Sequence, residues 1–371
     1  IRPDKHLLRP DRLSRIGSGM LPPKYFTEVG SEGWNRSPVG TGAYKLVEWV
    51  RDDHVTLERW DGSWRAKQAP FAQLVFRVIP ELSTRVAELE TGGIDIALDL
   101  SPQDLPRLER EPDLRVESVE SPRVYLLNVR VSQGMVTADP RVRAAIDYAI
   151  DDAALVKGVM DGYGTPMRTR ITPGLVGSPR KYVGTYLYDA EQARRLLRQA
   201  GYPSGVSLGL LTRNTQPWSD LAQSIKEMLS QAGVRTDVQT LAATAYSSVI
   251  DAHKQPELTL TSYGNSMLDA DLAVGGLVCS WNIYGYCNPR LDQMITRASQ
   301  ELDPQARQKL YEQISDVIAE ERPQIYLFQG WTIAAVRKDI SWQPRPDEML
   351  WFYEAPTNPT DQGSTSKDTG S

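Results

Sequence analysis

The hydrophobic pattern changes period several times along the chain. Tyr44–Val50 and His54–Arg59 read as strands, parted by the polar pair Asp52-Asp53 as in a hairpin. Leu74–Ile79 predicts a third strand. Ser83 is placed to N-cap a short helix through Leu89, ended by Gly92-Gly93, and Ile94–Leu98 predicts the next strand. Arg115–Val119 and Val124–Val129 read as two further strands. Helical spacing then takes over: Asp139 caps and Pro140 opens a helix with Val142, Ala145, Ile146, Ala149 and Ile150 on one face. Asp189–Ala200 predicts another helix, with Leu196 and Leu197 inward and Gly201 at its C-cap. Ser207–Thr212, Pro217–Ala232 and Val234–Leu241 form a strand–helix–strand unit, the helix buried through Leu221, Ile225, Met228 and Leu229. Short loops in such a unit imply a parallel strand pair. Asp303 and Pro304 open a late helix with Leu310, Ile314, Val317 and Ile318 inward; Pro323 stops it and Gln324–Phe328 predicts a strand. Residues 1–37 read as polar and loop-rich, and 355–371 as a disordered tail.

A chain of 371 residues is long for one core and suggests two domains. The 40% hydrophobic and 24% charged content is that of a globular protein. No apolar run reaches the ~20 residues of a membrane helix. Net charge is −5 with no basic block, which argues against a nucleic-acid surface. The chain starts at Ile1, without an initiator Met or a signal peptide, and is read as a processed product or a fragment.

Candidate chemistry is thin. Gly205–Gly209 fits the hydrolase pattern Gly-x-Ser-x-Gly, but Ser207 precedes a strand, where a nucleophile elbow needs a strand before it and a helix after it. His6, His54 and His253 lack metal-ligand spacing, there is no phosphate loop, and no cofactor or metal is expected. Asp151-Asp152, Asp269 and Asp271 read as solvated loop carboxylates. Cys279 and Cys287, eight residues apart, either close a small loop worth ~2–3 kcal/mol or stand as two reduced thiols; the disulfide is the expected state. Nine Trp and sixteen Tyr against five Phe suit a wet cleft around a polar ligand.

The segment PVGTGAYKLVEW at 38–49 narrows the field. Together with DPRVRAAIDYAID, DAEQARRLLRQAGY and the stretch from CNPRLDQ to RPQIYLF, it closely resembles the extracytoplasmic solute-binding proteins of ABC importers, in the peptide-, dipeptide- and nickel-binding family 5. The resemblance implies an α/β, two-lobed periplasmic-binding-protein-like fold of type II, peptide-binder class, with mixed sheets. Residues 1–123 plus 331–354 would form a partial lobe one, lacking the family's N-terminal portion, and 124–330 lobe two. Strand crossings near Val124 and Gln329 would form a hinge. The implied function is non-catalytic capture of a small polar solute and its delivery to a membrane permease, by a monomer in the periplasm or outside the cell, lipid-anchored if the full-length precursor carries an anchor. A hydrolase and a ligand-sensing receptor module of the same fold are the alternatives.

The same resemblance implies ligand contacts at Tyr125, Asn128, Tyr263, Asn265, Ser266, Trp281, Gln329 and Trp331. In peptide binders an Asp three residues after the strand-end aromatic holds the solute ammonium. Here Tyr263 fits the aromatic and Ser266 takes the Asp position, unless Asp269 or Asp271 substitutes through a shifted register. An ammonium buried without a carboxylate is costly. A modified peptide or a sugar- or opine-like conjugate therefore fits as well as an oligopeptide.

Overall fold

The computed structural model describes residues 21–265 and 268–352, so Ser266, residues 1–20 and the 355–371 tail lie outside the described residues. Among the described residues the chain divides into two units: one spans Glu120–Trp331, and the other joins residues 21–119 with 332–352.

The second of these units opens with a helix, Pro23–Arg36, where the sequence suggested loop. Pro23 sits at its start, and the helix bends at Gly30, whose φ of 66° is open to glycine. Tyr25 and Phe26 meet Trp34 edge-on across the turn at 6.1 and 5.9 Å. Strands β1 (Tyr44–Val50), β2 (His54–Arg59) and β3 (Gln73–Arg77) form an antiparallel sheet in sequence order, Val50 opposite His54 around the Asp52-Asp53 turn. The next helix is Leu82–Glu90; Glu81, not Ser83, stands at its N-cap, with no side-chain cap bond. Strand β4 (Ile96–Leu98) pairs with Ala334–Val336 of the last strand.

Strand β5 runs unbroken over Leu114–Val129. The sequence reads here as two strands, Arg115–Val119 and Val124–Val129, but the chain stays extended between them, with the Ser121 carbonyl accepting from Gln329 Nε2 at 2.9 Å. Beyond it come β6 (Gly164–Pro166), β7 (Val206–Arg213), β8 (Val234–Leu241), β9 (Leu258–Tyr263) and β10 (Gln324–Arg337). Within Glu120–Trp331 they lie in the order β10-β5-β9-β7-β8, with β6 on β10. β7 is parallel to β8 and β9, and β5 is antiparallel to β9, so the sheet is mixed.

Side-chain alternation along β5 separates two cores. Leu127 and Val129 face one that includes Ile146, Leu197, Leu221, Ile225 and Leu229 from three helices. Val124 and Leu126 face the other, with Leu291, Leu310, Tyr311, Ile314 and Ile318. Asp139 and Asp303 cap their helices as their Asp-Pro pairs imply, accepting from Arg141 N and Ala306 N.

Three carboxylate readings need correction. Asp269 is buried, caps the Ala270–Gly275 helix and takes a bidentate Arg307 at 2.5 and 2.6 Å. Asp271 meets the same guanidinium at 3.3 Å and accepts from the Tyr311 hydroxyl. Arg307 lies a helix away in sequence, so local polarity gave no hint of the pair. Asp152 is also buried: loss of solvation, and then the charges of Asp147 and Asp151, push its carboxyl well above the usual range.

Two measurements test this account. Asp269→Ala strands the Arg307 charge and is expected to cost about 3–5 kcal/mol of unfolding free energy in urea titrations. Because the Asp152 pKa is raised on folding, its contribution is full at acid pH and is lost as pH rises from the unfolded carboxyl pKa through the folded one. Asp152→Asn is therefore expected to raise Tm at pH 8 and leave it nearly unchanged at pH 4.

Candidate solute-binding site

The Glu120–Trp331 unit carries a column of stacked side chains. Tyr125 of β5 lies on Phe328 of β10, ring centroids 4.7 Å apart, and on Trp218 at 5.0 Å. The Arg213 guanidinium, at the C-terminal end of β7, continues the column 4.9 Å from the Trp218 ring and 4.7 Å from Tyr246. Gly330 makes room for it, because a Cβ there would meet Tyr125 Cε2 at 2.7 Å. The sequence placed the end of β10 at Phe328; the strand runs on to Arg337, and Gly330 within it is the space that Tyr125 needs.

Arg213 was not anticipated. Among the described residues no acidic side chain pairs with it, and no acceptor takes a hydrogen bond from its guanidinium. A guanidinium held between two rings, with its donors unspent, is suited to bidentate contact with a carboxylate or similar oxyanion. Nothing in the run LLTRNT marks Arg213 as unpaired; that property exists only once the fold is made.

The anticipated residues divide into groups. Tyr125 belongs to the column. Asn128, three residues on, points to the opposite face and is buried in a hydrogen-bonded chain: Tyr326 Oη donates to Gln324 Oε1 at 3.0 Å, Gln324 Nε2 to Asn128 Oδ1 at 2.7 Å, and Asn128 Nδ2 to Tyr263 Oη at 3.0 Å. Tyr263 is half-buried at the end of β9, with Arg170 over its ring at 4.4 Å. Asn265 is fully buried, and its Nδ2 donates to the Asp269 carbonyl at 2.8 Å, so it anchors its loop.

Gln329 and Trp331 lie two residues apart on β10, on one face of the strand. Gln329 Oε1 and Trp331 Nε1 are buried with no partner. An acceptor and a donor left open side by side suit a polar ligand group. Trp331 meets Tyr163 edge-on at 5.9 Å.

Trp281 stands apart, 76% exposed in the loop closed by the Cys279–Cys287 disulfide. Ser207 sits inside β7, its Oγ accepting from Arg235 Nε at 3.1 Å, in no strand-to-helix elbow. Asp269 and Asp271, tied to Arg307 and Tyr311, are not available to hold an ammonium. No cluster of three or more metal-ligating side chains occurs among the described residues, and no described helix is long and apolar enough to cross a membrane. The other unit has a cavity of about 660 Å³ lined mainly by apolar side chains, including Trp34, Trp49 and Trp60; none of the anticipated residues lines it.

Comparison with known proteins places this geometry. The glutathione-binding protein GsiB of Pectobacterium atrosepticum is 29% identical over 359 residues, covering 93% of this chain and 69% of that protein. Its Shigella flexneri counterpart is 28% identical over 345 residues, covering 90% and 66%. The chain thus spans about two thirds of the length of these relatives. Among solved structures, the periplasmic binding protein DppA of Helicobacter pylori with the peptide STSA superposes with a TM-score of 0.77 at 22% identity, over 89% of this chain and 65% of that one. The binding protein MoaA of A. tumefaciens R10 with mannopinic acid gives 0.78 at 22% identity, over 92% and 70%. The fold is that of the type II periplasmic binding proteins. Residues 6–285 match the family model described as bacterial extracellular solute-binding proteins, family 5 Middle, and the chain belongs to that family.

Proposed function

We propose that this protein is the substrate-binding component of an ABC importer, which captures a small polar solute bearing an anionic group and delivers it to a membrane permease. The observation that carries the reading is the aromatic column ending on Arg213, a preorganised cation whose donors are unspent. Aromatic faces supply apolar contact area, Gln329 and Trp331 offer one open acceptor and one open donor, and Arg213 supplies charge.

Ligands named for the relatives support the class: glutathione, a peptide and mannopinic acid. With Asp269 and Asp271 spent on Arg307 and Tyr311, recognition through an anionic group is favoured over recognition of a free ammonium alone. Closure of lobe 124–330 on the lobe formed by 1–123 and 331–354, about crossings in β5 and β10, would be driven by tighter solute binding to the closed state. The protein acts as a monomer in the periplasm or outside the cell.

Native mass spectrometry of the purified chain, followed by denaturing release, is expected to show a bound small molecule with at least one acidic group. A stoichiometric cation or apolar molecule would overturn the reading. Arg213→Gln is expected to weaken binding of the released solute by about 2–5 kcal/mol in calorimetric titration. Gly330→Ala forces Tyr125 off its neighbours and is expected to weaken the same binding about tenfold or more while the fold persists.

A further inference from the structure

Buried arginines in this chain are normally well matched. Arg307 holds two carboxylates, and its Nη2 donates to the Tyr311 hydroxyl at 3.0 Å. Arg143 donates to the carbonyls of Glu321, Thr137 and Ala138 at 2.7–2.9 Å. Arg170 departs from this. It is 8% exposed, yet its only hydrogen-bond acceptor among the described residues is the Ala273 carbonyl at 3.1 Å. Its Nε is buried with no partner, and no acidic side chain pairs with it.

What surrounds Arg170 is neutral. Its guanidinium lies 4.4 Å over the Tyr263 ring, and the phenols of Tyr263 and Tyr326 are the groups that favour its charge. Burial pushes the guanidinium down from its ordinary value. A cation–π contact and one carbonyl do not offset the removal of a full charge from water. Among the described residues neither Arg170 nor Arg213 has a carboxylate, and Arg170 has fewer acceptors than the other buried arginines, Arg143 and Arg307. Both lie over tyrosines of the same unit: Arg170 over Tyr263, and Arg213 over Tyr246.

We propose that Arg170 receives a second anionic group, so that the solute is a small dianion gripped by Arg213 at one group and Arg170 at the other. The inference rests on the solute-binding reading above and narrows its substrate class. Arg213 alone accounts for any monoanion. A second unmatched guanidinium beside the strand-end tyrosine is needed only if the ligand brings a second counter-charge. The absence of an acidic partner is then the means of selection, since a monoanion leaves Arg170 buried and unpaired.

The test uses the whole chain and three probes that carry at least two carboxylates: succinate, citrate and glutathione. Wild type, Arg170→Met and Arg213→Gln are melted at constant ionic strength in sodium chloride and in each probe, and probe affinity is taken from the concentration dependence of Tm. Arg170→Met is expected to melt at or above the wild-type temperature in chloride, because it removes an unmatched charge. At least one probe is expected to stabilise the wild type, and Arg170→Met to lose about tenfold or more of that affinity. Monomethyl succinate, which has one charge, is expected to bind both proteins alike. A fall in Tm of Arg170→Met in chloride would make Arg170 a structural anchor and overturn the proposal. So would equal probe affinity in wild type and Arg170→Met, or no wild-type response to any probe. If Arg213→Gln abolishes the response and Arg170→Met leaves it intact, the single-anion reading stands and the dianion falls.

Discussion

The stack of Phe328, Tyr125, Trp218, Arg213 and Tyr246 draws side chains from two strands, a helix start, a strand end and a second helix. Each contact is worth on the order of 0.5–2 kcal/mol. Their value is mainly geometric. A flexible arginine loses much rotamer freedom when it grips a solute, and here that freedom is already given up on folding. The column depends on the pleat of β5, which sends Tyr125 to the face of Trp218 and Asn128 to the other, and on one missing side chain at Gly330. The site follows from where the strands put these rings more than from any one residue's chemistry.

Much of the scaffold was legible in the sequence because its signals are local. The Asp-Pro helix starts at 139 and 303, the hairpin turn at Asp52-Asp53 and the parallel β7–β8 pair all follow from a few neighbouring residues. The family motifs reached further, fixing the fold class and the solute-binding role. What escaped was tertiary. Asp269 and Asp271 sit in a polar segment that reads as solvated loop, and only the fold brings Arg307 to them. The helix at Pro23–Arg36 buries no residue, so it lacks the apolar stripe by which helices announce themselves.

Arg213 and Arg170 show a different limit. A sequence displays charges but not their partners, and both residues combine a place over a tyrosine ring with the lack of a carboxylate. In a chain with ample acid, an arginine reads by default as half of an ion pair. The inversion between the acidic cluster and these two arginines has one cause: the protein spends its carboxylates on fixing the scaffold, at Arg307 and Arg322, and keeps them away from the tyrosine wall.

The buried chain from Tyr326 to Tyr263 has a direction. Each amide is oriented by its neighbour: Gln324 accepts from Tyr326 and donates to Asn128, which donates onward to Tyr263. The polarity ends at the Tyr263 oxygen, which accepts from Asn128 and shares a further hydrogen bond with the Tyr284 hydroxyl. A tyrosine at a strand end with a free hydroxyl can swing; here three residues behind it hold the oxygen in place, so its ring is fixed before any solute arrives.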